Sequence, residues 1–418
     1  MQDSIMTAPA LGMPTTAGSA LFAEMTAKKN APVVDRLLEA GMIVMAKANM
    51  TEFCGHKSQP IGIGWSAVAG QTLSPYRRTD LREEDQPISA GSSSGSAVAL
   101  CADLTPVALG TETTGSCIYP ASVCGVYGMK LGHKTAPSEG IFSISDSYDA
   151  IGPMVKDPRD LVDLVEALEG KPHAAANLEQ VQDGKEFEGF SIGVVSSTWE
   201  VHESIVKGKW GDDDVIAIYE AAVEKLRTKG AKVVYPLDMP GADRIKHGDN
   251  GLMSTAYYEF NEKIKEFISC FEEKPGIKDL ASVIEWNKAN TEKAMPEPYT
   301  EQTEIIKSLE SKLTPEILKT TMAEIRRIAG PDGLTATMKK EGDLDIVLSS
   351  SECQLATYAA SAGWPIASVP LGHWPKNGQP IGMFAVAKDG NEDTLMRFMQ
   401  GWAKGCGGID KPNMDELP

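Results

Sequence analysis

No stretch of about 18 consecutive apolar residues occurs in the 418-residue chain, so a membrane-spanning helix is not expected. Cysteine is sparse and scattered: seven residues, no C-x-x-C, and an odd number. That usage suits a reducing compartment, with most thiols acting as small buried hydrophobes. The six histidines form neither H-x-x-x-H nor H-E-x-x-H, so no metal site is expected. Basic charge is also short. Forty Lys+Arg stand against 58 Asp+Glu, a net charge of −18. Nucleic acid and anionic membranes both call for a basic face, so neither is an expected partner. The first ten residues lack a basic segment followed by an apolar one, and a cytoplasmic location is expected.

The remainder is ordinary globular composition, 42% hydrophobic and 23% charged. VVDRLLEAG, ending at Gly41, has helical spacing, and MIVMAK after it reads as a short buried strand. SAVALCADL reads as a helix and PVALGTE as a strand. SIGVVSS, AKVVYPL, DIVLSS, PIASVPLG and IGMFAVAK are further strands. VIAIYEAAVEKLRTKG and EDTLMRFMQGWAKG are amphipathic helices, and residues 252–328 are helical in pattern. Strands separated by helices predict an α/β protein with a mixed, largely parallel sheet flanked by helices.

Two segments concentrate small residues and hydroxyls, AGSSSGS at 90–96 and GTETTGS at 110–116. One reading is a pair of Ser/Gly loops. The other is a serine nucleophile, a serine relay and a cradle of backbone N–H groups, which needs small residues so that the backbone can approach a substrate. Spacing alone leaves both open.

AGSSSGSAVAL, ALGTETTGSCIYPAS, GVYGMK and GPMVKD, in that order, closely resemble the amidase signature family. GMPTTAGSALF, LLEAGMIVMAKANMTEF and GWSAVAGQTLSPY lie upstream, and SAGWPIASVPLG and GQPIGMFAVAKDGNEDTLMRF downstream, in the order the resemblance implies. It covers most of 1–160 and 340–400. It implies one amidase-signature domain over 1–418, with a signature core at 1–160, a variable helical insertion at about 200–335 and a return to the core at 340–405.

The family hydrolyses carboxylic amides with a Ser–cis-Ser–Lys triad and no cofactor. The resemblance makes Ser116 the nucleophile and Ser92 the bridging serine, 116 − 92 = 24 residues earlier. It makes an adjoining peptide bond cis, a conformation that costs ~3 kcal/mol outside proline. Thr113, Thr114, Gly115 and Ser116 supply the oxyanion-hole N–H groups, and Ser93 is a supporting hydrogen-bonding serine. The lysine's place is taken by Gln2, in Met1-Gln2-Asp3-Ser4-Ile5 ahead of GMPTTAGS, and Gln2 is expected beside Ser92. A Gln amide is not a base at physiological pH, so the proton relay loses its acceptor. The helical region that precedes the lysine in family members has no counterpart here, and Thr114 stands where close relatives often carry an acid.

The implied function is therefore hydrolysis of a small carboxylic amide through a Ser116 acyl-enzyme, with impairment expected from Gln2 and from the missing N-terminal region. The alternative is an amidase-fold protein that binds a small amide or lactam, or catalyses a cyclisation or isomerisation. An oligomer is left open. Lys47 and Lys130 are expected to be structural or solvated rather than substitute bases. Cys117 is expected to be a buried thiol, His56 and Lys57 to lie at the surface or a pocket rim, and Trp210, Trp286 and Trp364 to pack or anchor rather than bind substrate.

Overall fold

The computed structural model describes residues 1–174, 182–201, 209–246 and 251–414. Strands β1 (Trp65–Ser66) and β2 (Gly70–Gln71) form a small antiparallel pair. A second sheet contains β3 (Val107–Glu112), β4 (Tyr127–Lys130), β5 (Ala150–Val155), β6 (Ser191–Val194), β7 (Lys232–Val234), β8 (Ile346–Ser350), β9 (Ile366–His373) and β10 (Pro380–Ala387). Their order is β3-β5-β4-β9-β10-β8-β6-β7. Strands from the first 160 residues thus share one sheet with strands from the last 80 or so.

The sheet is mixed and flanked by helices, as the alternation of elements predicts. Parallel pairing is confined to the β8–β6–β7 edge. The other five junctions are antiparallel, so the expectation of a largely parallel sheet holds only at that edge. The reason lies in the connections. β9 and β10 are joined by a six-residue turn, 374–379, which returns the chain antiparallel. β5 enters between β3 and β4 rather than beyond them. Every residue of β10 is buried, which explains its unbroken apolar sequence.

The closing helix Glu392–Gly405 has the predicted bounds and buries Leu395, Met396, Phe398, Met399 and Trp402. Trp402 Nε1 donates to Pro370 O at 2.7 Å, tying this helix to β9. The helical middle forms as Leu252–Ser269, Leu280–Ala289, Thr303–Leu309 and Pro315–Ala329, among shorter pieces. It is fastened to the first third by aromatic packing. Phe22 stacks on Phe271 with ring centroids 5.4 Å apart, and Phe142 meets Phe267 edge-on at 5.1 Å. Among the described residues no helix is long and apolar enough to cross a membrane.

Two local expectations are overturned. MIVMAK is not a buried strand: Ile43 is 84% and Met45 70% exposed. Residues 42–47 belong to no strand, and the nearby β-bridge joins Ala48 to Gln2. Met42 and Val44 pack partly buried against the core, and Ile43 and Met45 between them face outward. His56 and Lys57 are not at the surface either; both are buried. Lys57 Nζ donates to Glu52 Oε1 at 2.8 Å and also to Ala294 O. His56 Nε2 is 2.8 Å from Ser308 Oγ and its ring packs against Phe260. The middle helices cover this loop, and their position is not encoded in the loop's own sequence.

Burial lowers His56 to about 4, with Lys307 adding to the effect and Glu304 opposing it. The folded state therefore holds His56 neutral, and its contribution to stability is complete above the unfolded value near 6.5 and lost as pH falls toward 4. A wild-type urea midpoint should drop between pH 7 and 4 by more than that of His56→Gln, with a difference of up to about 3 kcal/mol. Parallel midpoints would exclude a neutral buried imidazole.

Candidate active site

The turn 113–116 follows β3 directly and precedes the helix Ile118–Val123. Glu112 sets its shape. Its Oε2 accepts the N–H of Cys117 at 2.7 Å and of Ile118 at 3.0 Å, so a carboxylate caps the helix from the end of the strand. The chain between must loop outward. Gly115 takes φ +92°, and a Cβ there would lie 2.1 Å from the Tyr119 ring. Among the described residues the N–H groups of Thr113, Thr114, Gly115 and Ser116 have no acceptor. The turn thus presents unused donors beside a half-buried serine, Ser116.

The second serine segment enters the helix Ser94–Cys101. The two segments are joined directly: Ser93 N–H donates to Ser116 O at 3.0 Å. Ser92 is 3% exposed, and its Oγ has no hydrogen-bond partner among the described residues. The Cys54 thiol is a neighbour of that hydroxyl and is pushed up to about 12, chiefly by burial.

Gln2 is completely buried between β3 and the segment 46–48. Its N–H donates to Leu109 O at 2.9 Å. Its Oε1 accepts from Ser93 Oγ at 2.7 Å, Thr111 N at 2.7 Å and Thr111 Oγ1 at 3.3 Å. Its Nε2 faces sulfur, 3.8 Å from Met50 Sδ and 3.9 Å from Cys54 Sγ. Three donors converge on one carbonyl oxygen, which fixes the amide's orientation.

A family model for amidases matches residues 3–396. The chain belongs to the amidase family. A probable amidase of Arabidopsis thaliana is 29% identical over 396 residues, covering 92% of this chain and 71% of its own. A glutamyl-tRNA(Gln) amidotransferase subunit of Leptospira interrogans is 32% identical over 230 residues, covering 53% of this chain and 42% of its own. The match thus spans less than half of that protein's length. The solved structure of native peptide amidase from Stenotrophomonas maltophilia has a TM-score of 0.83 at 26% identity, covering 99% of this chain and 83% of that one.

Within this amidase-family chain, the resemblance led to the expectation of Gln2 close to Ser92. The Gln2 side-chain oxygen accepts from Ser93, the residue next to Ser92, whose hydroxyl points back toward β3. The expected cis bond is absent. The cis peptides among the described residues are Gln59–Pro60, Tyr235–Pro236 and Glu297–Pro298, so the bonds on both sides of Ser92 are trans. Lys47 is turned away from the serines: its Nζ donates to Ile5 O at 2.6 Å and Thr15 Oγ1 at 2.8 Å and lies 3.3 Å from Asp3. Burial lowers it to about 8. Lys130 Nζ donates to Thr113 O at 2.7 Å, beneath the turn. Cys117 is buried and its thiol raised well above its ordinary value by burial. Trp210 and Trp364 are core residues, and Trp286 packs partly buried at the core's edge.

Three residues important to this geometry were not singled out from sequence: Glu112, Thr111 and Asp149. Asp149 Oδ1 accepts from Thr113 Oγ1 at 2.6 Å, and its other oxygen accepts from Ser143 Oγ and Ile144 N, both at 2.7 Å. The acid inside T-E-T-T-G-S was a visible signal for Glu112; nothing local marks Asp149. A narrow pocket runs from Thr111 and Asp149 past Phe142 to His133. Among the described residues no group of three or more His, Cys, Asp or Glu side chains could hold a metal ion.

The shape of the turn depends on Gly115. Gly115→Ala should lose about 1–3 kcal/mol to backbone strain alone, plus the cost of displacing Tyr119. Gly12→Ala is the control, since Gly12 also has positive φ (+65°) but open space around its Cβ position. Thermal unfolding should show a clearly larger loss for Gly115→Ala; equal losses would mean the Tyr119 contact is unimportant.

Proposed function

We propose that this protein acts on the C–N bond of small carboxylic amides at Ser116, and that Gln2 makes that hydrolysis slow. Family membership supports amide hydrolysis as the class of reaction. The observation that carries the site assignment is the turn 113–116, whose unused N–H groups lie next to Ser116.

In the proposed reaction Ser116 Oγ bonds to the carbonyl carbon, and the carbonyl electrons move onto oxygen. The N–H groups of Thr113, Thr114, Gly115 and Ser116 receive that oxyanion. The Ser116 proton passes through Ser92 to the leaving nitrogen as the C–N bond breaks. Water then cleaves the acyl ester. Ser93 supports the relay, held by Gln2 and Thr111. The weak step is the first proton transfer. A Gln carbonyl already accepting three hydrogen bonds cannot take a proton at neutral pH.

A second reading, non-hydrolytic binding of an amide or lactam, draws on one further observation. Ser92 Oγ is buried beside the Cys54 thiol with no other polar partner among the described residues, and an amide group bound there would satisfy it. The two readings diverge under assay. On a panel of aliphatic and aryl amides, the parent chain should turn over only ~10³–10⁴-fold above water, the level left when one triad member is lost. Ser116→Ala should fall to the blank. Gln2→Lys should raise turnover only where the lysine is held neutral, because the Thr111 N–H at this position demands an acceptor. Brisk, Ser116-dependent hydrolysis by the parent would show that Gln2 does not limit the reaction. Ligand binding with no turnover in either protein would favour the second reading.

A further inference from the structure

Lys130 lies wholly inside the protein at the end of β4, and its ammonium donates to a backbone oxygen, Thr113 O at 2.7 Å. That oxygen belongs to the peptide whose nitrogen is Thr114 N, and the peptide is trans. In a planar trans peptide the N–H points opposite to the C=O. The ammonium therefore sits behind the turn, while the Thr114 N–H faces away from it. A cation on the carbonyl draws electron density along the amide and strengthens the N–H as a donor. Thr114 N–H is one of the donors without an acceptor among the described residues.

We propose that Lys130 is a positioning residue that acts through the Thr113–Thr114 peptide to strengthen the Thr114 N–H toward an oxyanion formed at Ser116. The inference rests on the Ser116 reading above. It differs from a base role, since Lys130 reaches no serine hydroxyl among the described residues and works only through a backbone carbonyl. The side chain of Thr113 is pinned separately to Asp149, so the turn does not depend on Lys130 alone for its anchorage.

The groups that set the charge on Lys130 come from several elements. Burial lowers its pKa below the ordinary lysine value, and Arg326 of the helix Pro315–Ala329 acts in the same direction. Glu112 on β3, Asp149 before β5 and, more weakly, Cys117 oppose them. Raising the pH removes the proton from Lys130, and that gives the test its handle.

The test uses an alkyl fluorophosphonate on the intact chain. Ser116 Oγ forms a bond to phosphorus, fluoride leaves, the hydroxyl proton goes to water, and developing charge on the phosphoryl oxygen reports on the donors. Labelling is followed by intact mass, with the site checked by Ser116→Ala. At the low end of the pH range, where Lys130 is charged, Lys130→Met should label about tenfold more slowly than the parent, less than the loss of a whole donor. The ratio of the two rates should fall toward one as pH rises past the pKa of Lys130. A purely structural role would leave that ratio independent of pH, and this outcome, or equal rates throughout, overturns the proposal. Should Lys130→Met not fold, Asp149→Asn substitutes. Removing that carboxylate should move the break in the parent's rate–pH profile to lower pH, and an unmoved break counts against the proposal. Labelling on Ser116 with a flat ratio defeats only this inference. Labelling that survives Ser116→Ala, or none in the parent, defeats the Ser116 reading and this inference with it.

Discussion

One backbone hydrogen bond, from Ser93 N–H to Ser116 O, holds the two hydroxyl-rich segments against each other. Its geometry demands close approach, and the glycines around it meet that demand. A Cβ on Gly91 would fall 2.5 Å from Pro120 Cδ and 3.0 Å from Ser116 O. One on Gly110 would fall 2.4 Å from Ser93 Oγ, and one on Gly95 would fall 2.4 Å from Asn49 O. The small residues of AGSSSGS and GTETTGS are therefore steric requirements of packing a helix start against a strand end, whatever chemistry follows. Glu112 completes the arrangement by capping the helix Ile118–Val123 with its own side chain, which leaves the intervening N–H groups without work to do inside the protein.

The elements that were legible in the sequence are those whose signal is local. The closing helix Glu392–Gly405 carries its apolar stripe in its own residues, and β10 declares its double burial by an unbroken apolar run. Where burial is conferred by a distant segment, the sequence misleads. Ile43 and Met45 have the composition of a core strand, yet among the described residues no strand pairs with them. His56 and Lys57 look like loop residues, yet the helices of the middle third close over them. The site divides in the same way. Ser92, Ser93 and Ser116 follow from ordered motifs, and the structure joins Ser93 to Ser116. The direction taken by the Gln2 side chain, toward Ser93 and Thr111, depends on which backbone donors happen to lack acceptors at the end of β3, and a motif does not encode that.

Position 2 is a well-satisfied place for a carbonyl and a demanding one for a cation. An ammonium there would confront the Thr111 N–H, a donor against a donor. A neutral amine would not. The pocket that suits glutamine thus also describes the protonation state that a lysine would need to adopt. The two buried lysines nearby have taken different roles. Lys47 binds the loop that carries Thr15 and Asp3, and Lys130 supports the turn that carries Ser116.

The exposed stretch at Ile43 and Met45 runs straight into residues that are firmly held. Asp3 N–H donates to Ala48 O at 3.1 Å, Ala48 N–H donates to Met1 O at 2.8 Å, and Lys47 reaches Ile5 O. An exposed segment outside regular secondary structure is where proteases cut most readily. A cut at 43–45 would leave Gln2 on one fragment and Ser92 and Ser116 on the other. The two pieces would stay together, because the contacts of Ala48 and Lys47 and the packing of Phe22 on Phe271 all cross the cut. Such a nicked protein would migrate as one species in its native state and as two once denatured. On refolding, its site would have become bimolecular, with the carbonyl that orders Ser93 and Thr111 supplied by a separate peptide.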